Sequence, residues 1–67
     1  MRIRQLRKER HITQIKMAMD LNMSQNTISR YERGEREPGI SELIATADYF
    51  HVSVDYLIGR TENPAIQ

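Results

Sequence analysis

Apolar residues recur along this chain at helical spacing, in short blocks separated by polar punctuation. Ile3, Leu6 and Arg7 share one face of a segment over roughly 2–9. Thr13 reads as an N-cap, opening a second helix over 14–21 with Ile15, Ala18 and Leu21 at spacing three. Asn22 follows, the residue after Gly best suited to the left-handed conformation that ends helices. Ser24 reads as the next N-cap, before a third helix over 25–32 that stops at Gly34. Residues 35–39 form a polar loop. Ile40, Leu43, Ala47 and Phe50 then mark a fourth helix over 40–50, and Ser53 caps a short fifth that ends before Gly59. No strand-like alternation persists. The pattern predicts an all-α fold, a compact bundle of five short helices with tight connections.

Length narrows the picture to one unit. The 67 residues predict a single domain over 1–59, with a two-helix motif at 14–33, and a flexible tail over 60–67. So small a chain has little room for a large cleft. No apolar run exceeds three residues, which excludes a membrane helix within this sequence. No charged-then-apolar leader opens it, which predicts a cytoplasmic protein. With no cysteine there is neither a disulfide framework nor a thiolate metal site. His11 and His51 are too few for a metal centre, so no metal and no cofactor is expected. There is no Gly-rich phosphate loop, paired-carboxylate cleft or nucleophile beside a base, so an enzyme is not expected.

The net charge of +1 conceals a gradient. Residues 1–10 carry Arg2, Arg4, Arg7, Lys8 and Arg10 against Glu9 alone. Residues 11–37 balance, and residues 38–67 carry Glu42, Asp48, Asp55 and Glu62 against Arg60. The basic end is placed to face an anion.

The stretch from Thr13 to Glu32 points to the kind of anion. Two short helices joined by Asn22-Met23-Ser24 make a helix-turn-helix arrangement, in which the second helix enters the major groove of DNA. The third helix has Ile28 and Tyr31 as its apolar positions. Its other residues include Gln25, Asn26, Thr27, Ser29 and Arg30. A face that merely meets water favours Lys and Glu, good helix formers; Asn, Thr and Ser are poorer choices for stability, Gln excepted. Gln and Asn instead suit adenine, Ser and Thr several bases, and Arg guanine.

The chain resembles the Cro/phage-repressor (XRE-type) helix-turn-helix family. The residues that carry the resemblance begin with Ile3-x-x-Leu6-Arg7 and Thr13-Gln14-x-x-Met17-Ala18. They continue with Met23-Ser24-x-x-x-Ile28-Ser29-x-Tyr31-Glu32-x-Gly34-x-x-x-Pro38 and Val52-Ser53-Val54-Asp55-x-Leu57. Three positions depart from the family pattern: His11 and Asn22 stand where Gly is usual, and Met17 where Leu is usual. Asn and His are enriched among non-Gly residues of positive φ, so both turns tolerate them.

The resemblance implies a lambda-repressor-like fold and a sequence-specific regulator of transcription, a repressor, that binds double-stranded DNA. Gln25, Asn26, Thr27 and Arg30 would read bases. Thr13, Gln14, Ser29 and Arg36 would meet the backbone, Gln14 from the N-terminus of its helix. Arg7 lies on an apolar face and needs a carboxylate, and the family pairs it with Glu32. Met17, Met19 and Met23 are expected in or near the core. Tyr56-Leu57-Ile58 cannot all face inward, so Tyr56 or Ile58 is a candidate dimer contact. The expected state is a homodimer on a palindromic operator, controlled by concentration, dimerisation or a protein regulator. An interaction module, such as the antitoxin half of a two-protein system, stays open on the same fold.

Overall fold

A computed structural model of the chain describes residues 1–65. Among the described residues there are five helices and no strand: α1 (Ile3–Glu9), α2 (Gln14–Asp20), α3 (Gln25–Glu32), α4 (Ile40–Phe50) and α5 (Val54–Ile58). The fold is the all-α, lambda-repressor-like bundle. No helix among the described residues is long and apolar enough to cross a membrane.

Each helix starts and stops through local chemistry. The side-chain oxygens of Thr13, Ser24 and Ser53 accept the N–H of Lys16, Thr27 and Tyr56 at 3.0, 3.1 and 3.0 Å, closing the first turns of α2, α3 and α5. Past each C-terminus, within two positions, stands a left-handed residue: His11, Asn22 and His51 at φ +56°, Gly34 at +73° and Gly59 at +89°. The next residue's N–H then reaches back five positions. Ile12 bonds the carbonyl of Arg7, Met23 that of Ala18, Glu35 that of Arg30, Val52 that of Ala47 and Arg60 that of Asp55, at 2.8–3.0 Å. This is the Schellman stop, made five times. Three joints go further and share a pattern: a left-handed residue, an apolar residue turned to the core, then a Ser or Thr cap. They are His11-Ile12-Thr13, Asn22-Met23-Ser24 and His51-Val52-Ser53.

All five helices and one joint feed a single core of Ile3, Leu6, Met17, Ala18, Ile28, Tyr31, Ala47, Phe50, Val52 and Leu57. The α2 helix packs on α3, α1 on α3, and α4 on α5. A bond from the Tyr49 hydroxyl to Asp20 at 2.6 Å ties α4 to α2. Burial, reinforced by that bond to a carboxylate, pushes the Tyr49 phenol up to about 12.

Three apolar residues are not where their spacing suggested. Ile15 and Met19 are exposed, Met19 at 74%. Each stands two positions from Met17, about 200° around the helix, so burying Met17 turns both outward. Met23 keeps to the core edge. Ile40 is 78% exposed although it lies in angular register with Ala47. It occupies the first position of α4, two turns ahead of Ala47. The buried stripe gathers at the other end of that helix, on Thr46, Ala47 and Phe50.

The chain closes on itself at α1. The backbone N–H of Arg2 bonds the carbonyl of Leu57 at 2.8 Å. Its guanidinium donates to the carbonyls of Tyr56 (2.8 Å) and Thr61 (3.2 Å), reaches Glu62 at 3.4 Å and lies 4.4 Å over the Tyr56 ring. Of the segment read as a tail over 60–67, residues 66–67 lie outside the described residues. Within the rest, the Pro64 carbonyl accepts the N–H of Ser53 at 3.1 Å.

Candidate nucleic-acid interface

The α2–α3 pair sets one polar face outward because its apolar residues are used inward. Met17 and Ala18 on α2 and Ile28 and Tyr31 on α3 are buried. On a helix of eight residues that leaves Gln25 and Asn26 exposed at its start, with Thr27, Ser29 and Arg30 half-buried beside them. The Thr27 hydroxyl pairs with that of Ser24 at 2.8 Å. Ser29 Oγ receives a short bond from Arg33. Thr13 is exposed and engaged as the α2 cap, and Arg36 is exposed in the loop before α4.

Beneath this face sits an ion pair. Arg7 Nε meets Glu32 Oε2 at 2.7 Å and a second guanidinium nitrogen meets Oε1 at 3.0 Å, the forked geometry that suits Arg to carboxylate. The remaining nitrogen donates to the Ile12 carbonyl at 3.0 Å. The two side chains are 12% and 4% exposed. Burial alone would raise the Glu32 carboxyl. Hydrogen bonds from Arg7 and Gln14, with the charges of Arg7 and Arg4, outweigh it and hold the group below its usual value. The bond to Glu32 in turn raises Arg7. Gln14 joins the pair, its Nε2 donating to Glu32 Oε1 at 3.2 Å, and Gln25 Nε2 donates to Gln14 Oε1 at 3.4 Å.

An open groove of about 540 Å³ runs over these residues, lined by Arg4, Arg7, Lys8, Thr13, Gln14, Ile15, Gln25, Ser29, Glu32 and Arg33. Its dimensions and its mixture of cations and amides suit a polar, anionic surface better than a small apolar ligand. A helix-turn-helix family model matches residues 3–57.

The chain belongs to the helix-turn-helix family, of the Cro/phage-repressor (XRE) type. Among curated relatives, an uncharacterised helix-turn-helix-type transcriptional regulator of Bacillus subtilis, YobD, is 33% identical over 94% of this chain and 56% of its own length. The helix-turn-helix-type transcriptional regulator ImmR of the same organism is 36% identical over 91% of this chain and 48% of its own. The immunity repressor of Bacillus phage phi105 is 34% identical over 88% and 41% respectively. The chain thus spans about half the length of the curated relatives it matches. No solved structure matches it.

In this helix-turn-helix frame the basic start of the chain divides in two. Arg2 and Arg10 bond carbonyls of the α4–α5 half, Arg10 through Phe50 at 2.8 Å, and Arg7 holds Glu32. Arg4 and Lys8 stay exposed and line the groove beside Gln14 and Gln25. Charge counting alone did not single them out. Their i, i+4 spacing on the outward side of α1, with Ile3 and Leu6 inward, is the signal that separates them. Arg33 also lines the groove, held by Glu35 at 2.7 Å. Of the two residues considered for a dimer contact, Tyr56 is half-buried with its ring beneath Arg2, and Ile58 is the one that reaches solvent.

Proposed function

We propose that this chain is a sequence-specific DNA-binding regulator of transcription, a repressor, that lays α3 in the major groove of double-stranded DNA. The supporting observation is the outward side of α3. Gln25 and Asn26 stand exposed on a helix whose apolar residues are fully used inward, beside a groove carrying Arg4, Lys8 and Arg33. Asn26 adds little to helix stability there, and both amides suit the reading of base edges. The phage immunity repressor and the regulators it resembles support the same reading.

In this reading Gln25, Asn26, Thr27 and Arg30 meet bases. Gln14, Thr13, Ser29 and Arg36 meet the backbone together with Arg4 and Lys8. The protein acts in the cytoplasm as a homodimer on a palindromic operator. Two copies of α3 then sit about 34–36 Å apart, one turn of DNA, with Ile58 at the contact between protomers. A protein regulator acting on that dimer is a natural means of control.

Fluorescence anisotropy on an inverted-repeat duplex and on a scrambled duplex tests this at two salt concentrations. Gln25→Ala or Asn26→Ala should cost about 1–3 kcal/mol on the specific duplex and little on the scrambled one. Arg4→Ala or Lys8→Ala should weaken both and reduce the salt slope by about one. Equal losses from Gln25→Ala on the two duplexes would overturn the base-reading role.

A further inference from the structure

The polarity of the site can be followed outward from the ion pair, atom by atom. Glu32 is an ionised carboxylate, so its oxygens only accept hydrogen bonds. Arg7 occupies both oxygens, at 2.7 and 3.0 Å, and Gln14 approaches Oε1 at 3.2 Å. Gln14 must therefore turn its Nε2 toward Glu32, which sends its own Oε1 the other way. That oxygen in turn accepts from Gln25, at 3.4 Å, so Gln25 must turn its Nε2 toward Gln14. What Gln25 has left for a ligand is its Oε1 and one remaining N–H.

We propose that Glu32, besides pairing with Arg7, is a positioning residue for base selection: through Gln14 it fixes which end of the Gln25 amide faces the DNA. The inference rests on the DNA-reading function proposed above and makes it chemically specific. Adenine presents the N6 donor to Gln25 Oε1 and the N7 acceptor to the remaining N–H, so it satisfies both. Cytosine offers its N4 donor to Oε1 alone. Guanine and thymine confront that oxygen with acceptors. Gln14 also keeps one N–H pointing away from Glu32, the donor that a phosphate oxygen requires. When the duplex excludes water from the groove the local dielectric falls, and the chain of bonds tightens.

The test is a base-preference profile, obtained by sequencing duplexes bound from a randomised pool, for the parent, Glu32→Gln and Gln14→Leu. The parent should show one position per half-site where adenine is preferred by roughly tenfold to a hundredfold. In Glu32→Gln an amide replaces the acceptor-only carboxylate, so Gln14 is free to invert. Preference at that position should fall to within about threefold while the other positions keep theirs. Gln14→Leu cuts the relay in the middle and leaves both Arg7–Glu32 bonds in place, so it decides the matter if Glu32→Gln does not fold. A folded Gln14→Leu that retains the adenine preference overturns the proposal.

A parent with no preference at any position overturns the DNA-reading function instead. The relay is then judged without DNA, from the side-chain amide resonances of Gln25 in the free protein. They should shift in both variants, and unchanged resonances overturn it.

Discussion

The two ends of α1 each anchor the fold with an arginine, and the two anchors carry unequal loads. Arg7, in the last turn, has a forked carboxylate and a carbonyl as partners. Arg2, at the other end, has two carbonyls, a carboxylate and an aromatic ring. Counted as contacts they are alike. They differ in what surrounds the carboxylate: Glu32 is 4% exposed, whereas Glu62 is 96% exposed. A carboxylate in water loses little when its partner is removed, because solvent replaces the cation. A buried one has nothing to replace it. The contrast bears on the site as well as on stability, since Glu32 is the last residue of α3 and is linked through Gln14 to Gln25, the first.

The largest test of this contrast is to remove one member of the buried pair. Arg7→Ala or Glu32→Ala should destabilise the domain by about 3–5 kcal/mol. In a chain of this size that lowers the melting temperature by roughly 12 °C or more. A melting curve superimposable on the parent's would break the contrast. The same interaction should fail in acid. The Glu32 carboxyl lies lower in the folded chain than its ordinary value of 4.5, so its contribution is complete above that value. It is lost as pH falls through the folded one. Chemical denaturation followed from pH 7 downward should show stability declining below about pH 4.5, with a shallower decline in Glu32→Gln.

At the other end the effects shrink. Arg2→Ala keeps its backbone bond to Leu57 and loses the guanidinium contacts, for about 1–2 kcal/mol by denaturant titration. Glu62→Ala should leave the melting temperature within about 2 °C of the parent's. A Glu62 effect as large as that of Glu32 would mean that burial is not what separates the two anchors.

Much of the fold is local and therefore legible in sequence. Thr13, Ser24 and Ser53 announce helix starts, and Gly34 and Gly59 announce stops, because the bonds that make them lie within a few residues. Asn22 is readable as a left-handed stop, and the family pattern marks His11. His51 carries no such marker in the family pattern, and its stop shows itself only through the Val52 and Ser53 that repeat the other joints.

Facing is harder to read than helicity. Ile15, Met19 and Ile40 fit helical spacing and are exposed, since spacing gives angles within a helix and says nothing of where its neighbours end. The site divides along the same line. The amides of α3 are conspicuous in composition, and the family pattern names Arg7 and Glu32. The division of Arg2, Arg4, Arg7, Lys8 and Arg10 into anchors and groove cations depends on Tyr56, Phe50 and Thr61, residues 40 or more positions away for Arg2 and Arg10.

The repeated joints have a kinetic consequence. Every helix stop is closed by a bond spanning five residues, and three restarts follow within two residues of the left-handed position. Such contacts form without first closing long loops, so the entropy of bringing distant parts together enters late. All-helical chains of this kind refold in microseconds to milliseconds. A temperature-jump experiment should find this domain in that range, and His51→Gly, which eases a left-handed residue inside a local contact, should speed folding more than it slows unfolding.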